Sequence, residues 1–177
     1  MASPSFSVIK KEYDGFYRDL LKNGRLPMWS TEKGFWNASI SDEIYEAFKR
    51  LNLGRSNSFL DLGSGDGKVV FIASLFFKKA EGIEIDEFLH NKALQMQKKF
   101  GANTVKFHNK DFFTHKISGY DLIFMAPDAP FEKGVEDKLL KEMNGKLLHH
   151  GHIFHPSILK KKENFNINGN LFSIYSK

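Results

Sequence analysis

From the amino end, apolar side chains first recur at Tyr13, Phe16, Tyr17, Leu20 and Leu21. Steps of three and four put them on one face, so the spacing predicts an amphipathic helix over residues 6–23, closed by Asn23-Gly24. Residues 25–38 hold no period and read as an irregular aromatic stretch with Pro27, Trp29, Gly34, Phe35 and Trp36. A second helix starts at Ser41-Asp42-Glu43, buries Ile44, Phe48 and Leu51, and stops at Gly54. The pattern then alternates. Strands are predicted at 58–62, 81–85, 104–108, 121–126 and 146–154, and helices at 66–79, 86–99 and 131–143. Helix 86–99 turns Phe88, Leu89, Ala93 and Met96 inward. Near the end, Phe165-Asn166-Ile167 and the run from Leu171 to Tyr175 flank Asn168-Gly169-Asn170, a strong hairpin signal. The expected fold is therefore α/β: a three-layer α/β/α sandwich on a mostly parallel sheet with an antiparallel strand near the C-terminus.

Composition narrows the setting. A chain of 177 residues, 41% hydrophobic with 18 Phe, suits one domain with a sizeable core. A net charge of +5 permits an acidic partner without requiring one. With no cysteine, disulfides, zinc–thiolate sites and thiol catalysis are excluded. Met1-Ala2-Ser3-Pro4-Ser5 lacks the features of a signal peptide, and no apolar run approaches the roughly 20 residues needed to span a bilayer. The expectation is a cytoplasmic protein without a membrane partner.

Candidate chemistry begins at Phe59-Leu60-Asp61-Leu62-Gly63-Ser64-Gly65-Asp66-Gly67-Lys68. A strand runs into a glycine turn and then a helix, the layout of a nucleotide-type cofactor site. The spacing is neither the Gly-x-Gly-x-x-Gly of dinucleotide enzymes nor a phosphate loop, because Val69 stands where a hydroxyl would bind magnesium. This argues against a dehydrogenase. Asp61 at the strand end repels a pyrophosphate but suits an ammonium or a sulfonium. About 20 residues on, Gly82-Ile83-Glu84-Ile85-Asp86 offers a carboxylate able to accept from two ribose hydroxyls. Asn109-Lys110-Asp111-Phe112 follows the next strand, where Asp111 can accept from an adenine amino group and Phe112 can cover the ring. Bland roles stand beside these: close packing for Gly67, helix capping for Asp66 and Asp86, core filling for Phe112 or Phe113.

Together these segments resemble the class I S-adenosylmethionine-dependent methyltransferases over residues 39–177. The resemblance implies a seven-stranded sheet and S-adenosylmethionine as cofactor. It implies Asp61, Gly63 and Gly65 around the methionine part, Glu84 at the ribose and Asp111 at adenine, with Ser64, Gly67, Ile85 and Phe112 also in the cofactor site. Residues 1–177 are expected to be one methyltransferase domain, with 1–38 a helical and aromatic cap segment. Phe35-Trp36-Asn37-Ala38-Ser39, the glycine loop and Gly82–Asp86 also look like the small archaeal-type protein-lysine methyltransferases.

On the substrate side, Met125-Ala126-Pro127-Asp128-Ala129-Pro130-Phe131 follows the fourth strand. It is similar to the Asp/Asn-Pro-Pro-aromatic loop of enzymes that methylate amino groups, with Ala129 in place of the first proline. Asp128 is the candidate to orient or deprotonate the nucleophile, and Trp36, Pro127, Pro130 and Phe131 are the expected substrate-side residues. Trp29, Tyr13 and Tyr17 are candidates for an aromatic wall, although packing over the sheet is the plainer role of the two tyrosines. The expected acceptor is a protein lysine. RNA or DNA base amino groups and small molecules are the alternatives, and a cofactor-binding module acting through partners is the non-enzymatic one. His149, His150, His152 and His155 show no convergent ligand spacing, so no metal is expected, and Lys160-Lys161-Lys162 reads as a solvated turn.

Overall fold

The computed structural model describes residues 4–31, 34–51, 53, 57–131 and 134–177. Helix α1 spans Phe6–Lys22 and α2 spans Ser41–Arg50; the expected stop at Gly54 lies outside the described residues. Between them, the stretch expected to be irregular forms strands β1 (Met28–Thr31) and β2 (Gly34–Asn37), paired antiparallel with Trp29 opposite Trp36. From there the order is β3 (Ser58–Leu62), α3 (Lys68–Ala73), β4 (Lys79–Glu84), α4 (Glu87–Phe100), β5 (Val105–Asn109), β6 (Leu122–Met125), α5 (Val135–Glu142), β7 (Lys146–His150), β8 (Lys160–Ile167) and β9 (Asn170–Ser176).

Strands β3 to β9 form a seven-stranded sheet in the order β5-β4-β3-β6-β7-β9-β8. The first five positions run parallel, and β9 is reversed against both β7 and β8. The turn from β8 to β9 uses Asn168 at φ 52° and Gly169 at φ 90°, the two left-handed residues of a tight hairpin. Phe48, Phe59, Val70, Phe71 and Phe77 fill the core on the face covered by α2, α3 and α4, with Ile9 and Tyr13 of α1 packed into it. Leu60, Ile83, Ile123, Leu139 and Met143 fill the other face, under α5 and the segment between β5 and β6.

Several expectations are corrected. Helix α3 ends at Ala73, well short of residue 79: Val69 to Ala73 are all buried, and an all-round apolar run carries no stop signal. Helix α5 begins at Val135 because Pro127 and Pro130 hold the preceding loop off helical geometry. Strand β7 ends at His150, so His152 lies beyond it, exposed and hydrogen-bonded to the Gly169 carbonyl. Phe88 is 51% exposed rather than buried, with its ring edge-on to Trp29. Lys160, Lys161 and Lys162 lie on β8, not on a turn.

Candidate functional site

The carboxyl ends of β5, β4, β3 and β6 open onto one cavity of about 550 Å³, within the size range of small-molecule sites. In a parallel sheet this is where a ligand lies, since loops leave every strand on the same side. Asp61, Gly63, Ser64, Gly65, Glu84, Ile85, Asp111 and Phe112 all line it. Gly67 does not. A Cβ there would sit 2.7 Å from the Phe107 ring and 2.8 Å from the Ala93 methyl, so that glycine permits close packing of the loop on α4 and β5.

The glycine loop takes its shape from its backbone. Gly63, Gly65 and Gly67 have φ of 80°, 53° and 84°, values open to glycine at little cost. The amides of Gly63 and Ser64 both donate to the Ile83 carbonyl. The Gly65 amide donates to Glu84 Oε2 and the Asp86 amide to Glu84 Oε1, each at 2.8 Å. Glu84 thus clamps two loops, and each oxygen keeps a second lone pair. Burial raises its pKa, opposed by those backbone donors. The Ser64 hydroxyl is buried against Gly82 and makes no hydrogen bond. Asp86 caps α4 through the Leu89 amide, its plainer role.

Asp61 is 2% exposed. Burial raises its pKa well above the usual range, and the charges of Glu84 and Asp66 push the same way. No salt bridge or side-chain hydrogen bond reaches it among the described residues. A carboxylate so placed calls for a cation from the cavity.

Two groups escaped the sequence reading. Tyr17 donates to Asp66 Oδ2 at 2.6 Å and Tyr13 to the Asp66 carbonyl at 2.7 Å, so α1 holds the glycine loop from outside. Lys68 lines the cavity, is 3% exposed and lies 4.4 Å above the Tyr17 ring. Burial lowers its pKa while Asp66 raises it. The signal for Lys68 was a cation immediately before five apolar residues in a buried helix.

The opposite wall comes from β1, β2 and the loop after β6. Trp36 covers Gly65 closely enough that a Cβ there would lie 2.4 Å from its Nε1. Trp29 packs against Trp36 with ring centroids 4.3 Å apart and the planes tilted by 51°. Pro127, Pro130 and Phe131 line the cavity, as do Phe35 and Phe113. Asp128 accepts a hydrogen bond from the Phe35 amide. Its carboxylate therefore ties the loop after β6 to β2. Asp111 Oδ1 accepts from the Phe113 amide at 2.9 Å, and Phe112 and Phe113 stack at 4.7 Å.

A parallel sheet with one reversed strand, a glycine loop after β3 and carboxylates at the ends of β3 and β4 define a class I S-adenosylmethionine-dependent methyltransferase. The sequence model of the family described as Histone methylation protein DOT1 matches residues 38–145, more than half of the chain, and the chain belongs to that family. Its cofactor is S-adenosylmethionine. Solved structures share the fold at lower identity. An RNA methyltransferase from Salinibacter ruber, in complex with S-adenosyl-L-homocysteine, is 23% identical with a TM-score of 0.65, covering 78% of this chain and 92% of its own. The tRNA (uracil-54, C5)-methyltransferase of Pyrococcus abyssi is 13% identical with a TM-score of 0.64, over 84% of this chain and 44% of its own. Magnesium protoporphyrin IX methyltransferase from Synechocystis PCC 6803, with bound SAM, is 16% identical with a TM-score of 0.58, over 76% and 75%. No curated protein matches the chain. Among the described residues, no helix is long and apolar enough to cross a membrane.

Proposed function

We propose that this methyltransferase acts on the side-chain amine of a protein lysine. The observation that carries the reading is the aromatic mouth of the cavity, where Phe35, Trp36, Phe113 and Phe131 stand beside the loop after β6. The description of the matched family as a histone methylation protein supports it.

The residues present fit the cofactor. Asp61, a buried carboxylate short of a cation, would hold its ammonium, and Lys68 its carboxylate. The free lone pairs of Glu84 face the ribose hydroxyls. Asp111 and Phe112 would hold the adenine, with Ile85 lining the same cavity. When bound, the cofactor supplies an electrophilic methyl group. The chain supplies the surroundings. A lysine must arrive neutral, which at pH 7 costs about 4.6 kcal/mol against a pKa near 10.4. Aromatic walls that exclude water lower that cost by disfavouring the ammonium form. They also hold the amine in line with the methyl carbon. Asp128, with one oxygen on the Phe35 amide, holds this wall in place.

A base amino group is the second reading, because Asp128-Ala129-Pro130-Phe131 is similar to the loop that holds such amines. Incubation with methyl-labelled S-adenosylmethionine and a cell lysate, split between protease and nuclease, separates the two. Protease-sensitive label recovered as methyl-lysine after hydrolysis supports the proposal; nuclease-sensitive label overturns it.

A further inference from the structure

Parallel neighbours in this sheet are joined through α3, α4 and α5, but the crossover from β5 to β6 carries only a single 3-10 turn at Phe112–Thr114. Polar groups tie that crossover to the sheet. Glu81 on β4 lies beneath it, 4% exposed. Its Oε2 accepts from the Tyr120 hydroxyl at 2.7 Å and lies 2.8 Å from His108 Nε2. His115 Nε2 lies 3.0 Å from the same tyrosine oxygen, and the two imidazole rings are 5.0 Å apart. One ligand atom from each of Glu81, His108 and His115 falls within 4.8 Å of the other two.

We propose that Glu81, His108 and His115 form a zinc site that fastens this helix-free crossover to the sheet. Two imidazoles and a carboxylate are a known zinc donor set, with a fourth position left for water. Bond lengths of about 2.0–2.2 Å place tetrahedral donors roughly 3.4 Å apart. The present spacings bracket that distance, so each side chain adjusts by on the order of 1 Å. Each imidazole turns an Nε2 lone pair to the ion and carries its proton on Nδ1. Tyr120 keeps its hydrogen bond to Glu81 as that carboxylate's outer partner and gives up its contact with His115 Nε2, which turns to the ion. The strand register supports the set: Ile83 pairs with His108, so His108 shares the face of Glu81 two residues along. The cations facing the cluster are Lys79, whose Nζ lies 3.1 Å from Glu81 Oε1, together with Lys110 and Lys138. Lys138 is engaged by Glu142, whereas the half-exposed Lys79 competes with zinc for the carboxylate. The fastened segment carries Asp111, Phe112 and Phe113 into the cavity wall, so the site braces one side of the cofactor cavity.

The test is calorimetric titration of the untagged full chain, dialysed against chelator, with zinc chloride. The expected result is one zinc per chain. His108→Ala and His115→Ala should each weaken binding by more than about a hundredfold, beyond the tenfold to hundredfold typical of outer partners. Lys79→Met should tighten it by removing the competing ammonium. A thermal melt without zinc checks that each variant folds, and His115→Gln, on the crossover itself, serves if His108→Ala does not. No stoichiometric binding, or wild-type affinity in the histidine variants, overturns the site.

Discussion

Asp61 shows how one residue links the fold to the cofactor. Its carboxylate is buried at the end of the central strand β3, with two other acids raising its pKa and no cation beside it. A ligand ammonium relieves all three costs at once. Asp61→Asn should weaken S-adenosylmethionine binding by about 1.5–3 kcal/mol. Because the free protein holds that proton above the usual range, binding releases it. Wild-type affinity should therefore rise with pH through the raised titration, and the Asn variant should be flat. Titration calorimetry across pH checks this, and parallel curves for both proteins would remove Asp61 from the ammonium. Asp128 is the contrasting case, a carboxylate with one oxygen on a backbone amide. Asp128→Ala should speed hydrogen exchange at the Phe35 amide by on the order of tenfold and leave the limbs of the pH–rate profile in place. Loss of one limb with exchange unchanged would make it a proton carrier instead.

At the scale of elements, α1 is a brace. It meets the glycine loop through two tyrosine hydroxyls on Asp66, which is 3% exposed. Tyr17→Phe leaves a buried carboxylate one donor short, and a cost of about 1.5–3 kcal/mol is expected, with a matching fall in cofactor affinity. An unchanged melting temperature would reduce Tyr17 to packing. The face of α1 was legible in the sequence, but its hydrogen bonds were not, since a period says which side is buried and not what it touches. Strands β3 to β6 and helices α2 and α4 were legible because apolar runs and caps such as Asp86 agree with the fold. The β1–β2 pair was hidden: no Asn-Gly or Asp-Gly marks its turn, and Trp29 and Trp36 pair across strands too short for alternation to register. Strand β8 was only partly legible, because lysines occupy its first three positions. The residues around the cavity, Gly67 apart, were readable from spacing. Lys68 and the tie at Asp128 depend on chain segments that meet only after folding.

At the scale of the whole molecule, two buried histidines should cost stability in mild acid. Burial holds both His149 and His150 near a pKa of about 4, and His149 is 0% exposed. The unfolded rings titrate near 6.5. Their contribution is complete above that pH and is lost as pH falls toward 4, by on the order of 3 kcal/mol for His149. Asp61, Asp66 and Glu84 act oppositely, since their raised pKa values favour the folded state as they protonate. A variant isolates the histidine part: denaturant midpoints of His149→Leu should fall less than wild type between pH 6.5 and 4. Equal slopes would place the acid response elsewhere.

The far edge of the sheet has a consequence of its own. Among the described residues, strand β8 pairs only with β9, so one row of its amides and carbonyls faces outward. An open strand edge is a template for another chain. Here Lys160, Lys161 and Lys162 are all exposed along it, and the pairing slips between Lys161 and Glu163. Like charges brought face to face repel, and an irregular strand makes a poor template. The lysine run thus serves as a guard against self-association and has no need of an acidic partner to explain it. Replacing the three lysines with Thr should leave methyl transfer intact and raise light scattering on concentration. A variant that stays clear at high concentration would return the run to the search for a partner.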